Sequence, residues 1–184
     1  MTSNDALPSV PLADAIDRCI QRLCTTVAWT YVLLVLVIIT QVVLRKGFSS
    51  GLIILEELQW HLYATGVMFG LAYSQTTNSH IRVDLLYGQF SQKTRYVVEI
   101  LGILILVMPF LIIMFMHSLD FVYDSYRINE SSSSPSGLPF RWIIKGVIPI
   151  TLGLLALAMV SRLYRDTMLL CGKGVVVEEN HHGS

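Results

Sequence analysis

The sequence predicts an all-α membrane protein with four transmembrane helices and short interfacial helices. Of its 184 residues, 53% are hydrophobic and only 14% are charged, whereas a soluble domain carries about 25% charged residues. The charged residues mark the ends of four long apolar runs and do not interrupt them. Backbone groups in lipid need internal hydrogen bonds, and the runs lack the alternation of barrel strands, so each run is expected to be a helix.

The first span is predicted at about 23–44, a charge-free run between Arg22 and Arg45. At about 1.5 Å per residue it reaches roughly 33 Å, enough to cross a hydrocarbon core of about 30 Å. The run begins late and exceeds the apolar region of a signal peptide, which indicates a retained anchor. Charges delimit the other three spans in the same way, at about 58–80, 97–119 and 142–162.

The spans together predict a membrane domain at 23–165, between a cytoplasmic N-terminal segment, 1–22, and a cytoplasmic C-terminal tail, 166–184. This orientation places more lysine and arginine residues inside than outside, as the positive-inside rule requires. Short interfacial helices are expected at 52–55 and 84–90, where apolar and polar residues mix beside the spans.

Small residues line one side of two predicted spans. Gly66 and Gly70 stand four residues apart on span two, and Gly146 and Gly153 share one side of span four. Small faces let helices approach closely in lipid, where dispersion forces drive association. Packing within the bundle and docking against the helices of a partner protein are both open explanations.

Charged residues flank the second span. Glu56 and Glu57 open it, where the helix macrodipole stabilises acids, and an ion pair with a partner chain is the alternative. His80, Arg82 and Asp84 follow it. Arg82 fits the positive-inside rule, and Asp84 could pair with it or cap the next helix.

Several function classes are excluded by what the sequence lacks. It contains no Ser/His/Asp grouping, no phosphate-binding glycine loop and no metal-ligand cluster. Its three cysteines form no CxxC pair and are expected to be free thiols. A net charge of zero gives no electrostatic footprint for nucleic acid. No ionisable residue sits at mid-bilayer to mark an ion pathway. We therefore expect a non-enzymatic membrane subunit, without metal or cofactor, that serves a larger partner.

Two alternatives remain open at this level. His61 and His117 fall at similar depth on different spans, and such a pair could ligate a haem in an electron-transfer subunit. A small standalone channel is the other alternative. The sequence lacks the polar residues that would line a pore, which argues against it.

Motifs around span two carry a family resemblance. They are Glu56-Glu57-Leu58, the small-residue face from Gly66 to Gly70-Leu71-Ala72, and His80-Ile81-Arg82-Val83-Asp84. A weaker match comprises Ser131 to Ser136, Pro139, Trp142, Pro149 and Gly153. Over roughly 25–165 the chain resembles the small, DctQ-like membrane subunit of tripartite ATP-independent periplasmic (TRAP) transporters. Gln59-Trp60-His61 departs from the family pattern.

The resemblance implies a small scaffold subunit in the bacterial inner membrane, beside a large DctM-like permease subunit. A periplasmic binding protein would deliver an organic acid, and a sodium gradient would drive its import. The small subunit would brace the large elevator subunit, which holds the substrate and sodium sites. The residues expected at the partner interface or in the family motif are Glu56, Glu57, Gly66, Gly70, His80, Arg82, Asp84 and Gly153.

Overall fold

The computed structural model describes residues 10–77 and 92–171, and this part of the chain is helical throughout, without strands. The helices are α1 (Pro11–Val27), α2 (Thr30–Gly47), α3 (Ile53–Thr76), α4 (Gln92–Gly102), α5 (Met108–Arg127) and α6 (Arg141–Leu170). A π-helical segment, Ile103–Val107, joins α4 to α5. The predicted all-α class is confirmed.

The junction between α1 and α2 keeps helical backbone angles at Ala28 and Trp29 but is a narrower, 3₁₀-like turn inside the first predicted span. The Tyr31 N–H donates to the Ala28 carbonyl at 3.0 Å, a bond across three residues where an α-helix has four. The hydroxyls of Thr25 and Thr26 donate to carbonyls four residues back, a contact that often bends helices. The apolar run at 23–44 therefore begins in the last turn of α1 and ends within α2.

The π-helical segment precedes a proline. Pro109 has no N–H, and its ring would clash with the carbonyl of Ile105 in a regular α-helix. The wider π turn relieves that clash: the Met108 N–H donates to the Ile103 carbonyl, five residues earlier. The third predicted span, 97–119, thus runs without interruption through α4, this segment and α5.

Within residues 10–77 and 92–171, three helical stretches are long and apolar enough to cross a membrane: Pro11–Gly47, Tyr96–Arg127 and Arg141–Leu170. They agree with a multi-pass membrane protein. The 24-residue α3 is not among them, because polar side chains are spread along its length. The count of four spans stays a prediction.

The segment 52–55 does not form a separate interfacial helix. The N–H groups of Leu55 and Glu56 both donate to the Leu52 carbonyl, so these residues make the first turn of α3. No glycine or proline follows Leu55 closely enough to end the helix after its first turn. The other expected interfacial helix, 84–90, lies outside the described residues.

The helices α3 and α6 are central to the bundle. α3 packs against α1, α2 and α6, and α6 also packs against α1, α4 and α5. The core lies where α1, α3 and α6 meet and consists of Ile20, Cys24, Phe69, Ala72 and Ala158. The outer faces of α2 and α5 are apolar and exposed, an extent of apolar surface that soluble monomers rarely show.

Candidate functional site

Glu57 joins α3 to the loop between α5 and α6. Its Oε2 accepts a hydrogen bond from the Leu138 N–H at 2.6 Å, and its Oε1 accepts one from the Ser132 hydroxyl. The carboxylate thus binds the loop with both oxygens and does not serve the free N–H groups of its own helix. This contact closes the 128–140 loop over one end of the bundle.

Glu56 joins α3 to α2 at the same end. Its Oε1 accepts a hydrogen bond from the Gln41 side-chain amide at 3.3 Å and lies 3.8 Å from an Arg45 guanidinium nitrogen. Gln41 is buried, and its own amide oxygen accepts from the Leu52 N–H at 3.4 Å. The two neighbouring acids therefore connect α3 to different parts of the chain.

The closed loop requires a glycine. A Cβ atom at Gly137 would lie 2.3 Å from the Ser132 side chain and 2.8 Å from Glu57 Oε1. Real Cβ atoms do not approach other heavy atoms so closely, so only a residue without a side chain fits here. No motif in the sequence indicated this role of Gly137.

A second acid, Glu130, fixes the beginning of α6. Its carboxylate accepts a hydrogen bond from the Lys145 ammonium, and its backbone carbonyl accepts one from the Arg141 N–H at 3.0 Å. The Lys145 ammonium also lies 3.9 Å from the centre of the Phe121 ring. The hydrogen bond from Lys145 is the main cause that lowers the pKa of Glu130 below its ordinary value. The carboxyl therefore stays ionised at neutral pH.

The structure separates the glycines that the sequence grouped together. A Cβ atom at Gly66 would lie 2.5 Å from the Tyr31 ring, so Gly66 lets α2 and α3 approach closely. Gly70 is exposed, and no atom of the described residues lies within 4 Å of a Cβ there. Gly153 would make an ordinary contact, 3.7 Å, with Phe115, whereas Gly146 faces open space.

The two histidines considered for a haem lie in different surroundings. His61 is half-buried beside the α5–α6 loop and the beginning of α6, whereas His117 is exposed on α5. No observation supports the haem alternative. His80, Arg82 and Asp84, the family-motif residues after span two, lie outside the described residues.

The other end of the bundle holds a buried ion-pair cluster, here called the α1–α6 cluster, which the sequence analysis missed. Arg165 lies 2.7 Å from Asp14 Oδ1 and 2.9 Å from Asp17 Oδ2. The Ser161 hydroxyl donates to Asp17 Oδ1 at 2.9 Å. Arg165, Asp17 and Ser161 are each less than 10% exposed. The cluster fastens α1 to the last turns of α6.

Arg162 extends this contact to α4. Its guanidinium donates to both oxygens of Glu99, at 2.9 and 3.1 Å, and lies 3.6 Å from Asp166. Both bonds come from the same guanidinium nitrogen, Nη2, and hydrogen bonds between two charged groups are stronger than those between neutral groups. In the sequence, Arg162 and Arg165 stand out only as basic residues that follow the fourth apolar run.

One sequence signal pointed to the α1–α6 cluster. Asp14 and Asp17 stand three residues apart, and Asp17 lies on the face of α1 that continues as Ile20 and Cys24. An acid that shares the apolar stripe of an amphipathic helix is expected to be buried, and a buried acid needs a cation. Its partner could not be identified from sequence, because α1 and α6 are far apart in the chain.

Comparisons with known proteins agree with the resemblance noted above. The family described as tripartite ATP-independent periplasmic transporters, DctQ component, matches residues 34–168, well over half of the chain. A protein from Haemophilus influenzae, named as a TRAP transporter small permease protein, is 26% identical over 144 residues. That alignment covers 74% of this chain and 84% of the relative. The family match includes Glu57, Arg162 and Arg165 but begins after Asp14 and Asp17.

Proposed function

Because the chain belongs to the DctQ family of transporter components, we propose that it is a scaffold subunit without a catalytic site of its own. It braces a large DctM-like membrane subunit of a TRAP transporter. A periplasmic binding protein delivers an organic acid to that subunit, and a sodium gradient drives the import.

One observation carries this proposal: the ion pairs between helices that the structure describes lie at the two ends of the bundle and join its own helices together. Glu57 and Glu130 order one end, and Arg162 and Arg165 order the other. Between these ends, the faces of α2 and α5 are apolar and exposed. A bundle fastened at both ends, with apolar faces for lipid or helices, suits a rigid brace.

The proposed topology has four spans in the bacterial inner membrane, with both termini in the cytoplasm. In it α3 is the second span, and its length of 24 residues is sufficient. Gln75 and Thr76 are buried within the bundle, which reduces the cost of carrying polar side chains through lipid.

The proposed contact with the large subunit lies on the exposed side of α3. Gly70 lies on this side, near Tyr63, Val67 and Leu71. A groove of about 510 Å³ between α3 and α6 runs beside it, lined by Trp60 and Ile148 among other residues. A small residue next to large apolar ones allows a partner helix to approach closely.

Reconstituted transport tests the proposal. The large subunit is placed in liposomes with and without this chain, and the binding protein supplies a labelled organic acid. We expect sodium-driven uptake with both subunits and little uptake without this chain. Equal uptake by the large subunit alone would refute the scaffold role. Uptake that is unchanged when potassium replaces sodium would refute the sodium coupling.

A matched pair of variants separates partner contact from general damage. Gly70→Leu adds bulk on the proposed contact face, and Arg127→Gln changes an exposed residue at the end of α5. We expect Gly70→Leu to reduce co-purification with the large subunit and Arg127→Gln to preserve it. If both variants co-purify as the original chain does, this face is not the contact.

A further inference from the structure

A polar groove lies where α1 and α2 meet and is separate from the ion pairs at both ends of the bundle. Its volume is about 620 Å³. Side chains of α1 form one wall, and Trp29 and Tyr73 form the other. The Gln21 amide lies 3.5 Å from the Thr76 carbonyl oxygen and connects α1 to the end of α3 beside the groove.

Among the residues that the structure describes, the lining of the groove contains no carboxylate, and its only charged side chains are two arginines. Arg18 and Arg22 stand one helical turn apart on α1 and are both exposed. Within residues 10–77 and 92–171, neither guanidinium forms an ion pair; Arg18 Nε donates only to the Asp14 carbonyl, at 3.1 Å. The Trp29 indole contributes a further N–H, and an indole can only donate. Such a set of donors is complementary to an anion with several oxygens, such as a phosphate.

The position of the groove identifies the source of that phosphate. Arg22 is the last charged residue before the apolar run at 23–44. Trp29 is 71% exposed and Tyr73 is 42% exposed, and aromatic residues of this kind are enriched at the level of lipid headgroups. Directly beyond Trp29, the exposed side of α2 presents Val32, Leu33 and Leu36, which can contact acyl chains.

We propose that this groove binds the headgroup of an anionic phospholipid in the leaflet on the N-terminal side of the membrane. Arg18 and Arg22 bind the phosphate, Trp29 lies at the headgroup level, and the acyl chains lie along α2. Basic grooves at helix ends are a recurring mode of lipid recognition. A lipid here would also bridge α1 and α3 beside the weak contact between Gln21 and Thr76.

Native mass spectrometry of the full-length chain tests the proposal. The purified protein is incubated with an equimolar mixture of palmitoyl-oleoyl phosphatidylglycerol and the zwitterionic phosphatidylcholine, and the retained lipids are counted. We expect a clear preference for phosphatidylglycerol. The double variant Arg18→Gln/Arg22→Gln should lose most of that preference, by roughly fivefold for each arginine removed.

The matched control is Arg45→Gln/Lys46→Gln, which removes two positive charges at the opposite end of α2. This variant should retain the preference. Equal losses in the two double variants would show a general charge effect and overturn the proposal, as would an equal affinity of the original chain for the two lipids.

Two further measurements separate lipid binding from a loss of folding and from the binding of a free anion. The unfolding temperature in detergent without added lipid should be similar for Arg18→Gln/Arg22→Gln and the original chain, and only the original chain should gain stability from phosphatidylglycerol. Inorganic phosphate at millimolar concentration should not displace the lipid, because it lacks the acyl chains. Displacement by phosphate would assign the groove to a free anion and overturn the lipid assignment.

Discussion

Arg165 of α6 lies 2.9 Å from Asp17 of α1, and both side chains are almost completely buried. Their contact holds the first helix of the chain against the last. Asp17 also accepts a hydrogen bond from Ser161, so its two oxygens bind different residues of α6. Helix α1 is therefore part of the bundle and not a tail beside it.

Replacing Arg165 by methionine tests the energetic importance of this contact. The substitution leaves Asp14 and Asp17 without their shared cation, and an unpaired buried charge costs about 3–5 kcal/mol. We expect the free energy of unfolding in detergent to fall by about that amount. The control is Arg127→Met, which breaks an exposed pair with Asp124 and should cost no more than about 1 kcal/mol. Similar losses in the two variants would show that the α1–α6 cluster is not a special source of stability.

Two glycine-to-alanine substitutions examine the loop closed by Glu57. At Gly137 the new methyl group would collide with Ser132 and Glu57, so the loop must move, at a cost of about 1–3 kcal/mol. At Gly146 the methyl group faces open space within α6, and alanine should stabilise the helix by about 0.5–1 kcal/mol. Thermal unfolding should therefore shift in opposite directions. An unchanged unfolding temperature for Gly137→Ala would contradict the close approach seen in the loop.

The glycines of α3 allow a similar comparison in the isolated chain. Gly66→Leu places a side chain into the Tyr31 ring, so we expect it to destabilise the isolated chain by at least about 1–3 kcal/mol. At Gly70 no described atom lies within 4 Å of an added Cβ, so we expect Gly70→Leu to leave that stability unchanged or slightly higher. Unfolding of the chain without its partner distinguishes the two variants. Equal destabilisation would mean that Gly70 is also a packing position.

Acid should weaken the contact between Glu130 and Lys145. The hydrogen bond from Lys145 lowers the pKa of Glu130 below its ordinary value of 4.5. A carboxyl with a lowered pKa stabilises the folded protein above its unfolded-state pKa and loses that effect as the pH falls through the folded-state pKa. We expect the unfolding temperature to decrease below about pH 4.5 and expect Glu130→Gln to flatten that decrease.

The partner variant serves as the control for this pH dependence. Lys145→Gln removes the ammonium that lowers the Glu130 pKa, so it should flatten the same acid limb. Unfolding temperatures measured from pH 7 to well below pH 4.5 would test both variants. An acid limb as steep as that of the original chain in both variants would place the titrating group elsewhere.

Much of the fold follows from local patterns. Unbroken apolar runs bounded by charges predicted helices at α2, α5 and α6, because backbone groups in lipid can be satisfied only within a helix or a closed barrel. Motifs within one short segment, such as Glu56-Glu57-Leu58, were enough to indicate the family that the sequence comparison confirmed. The π-helical distortion before Pro109 also has a local cause, because a proline lacks the N–H that would bond to the carbonyl of the preceding turn.

The sequence by itself determined that this is a helical membrane protein of the DctQ family, because lipid imposes the same requirement on every residue of an apolar run. Only the tertiary structure decided which small or charged residue has which neighbour. Gly66 and Gly70 look equivalent in sequence, yet only Gly66 meets Tyr31. Arg165 looked like a surface charge until α1 placed Asp17 beside it, 148 residues earlier in the chain. Contacts over such separations depend on how whole helices pack, which no local pattern records.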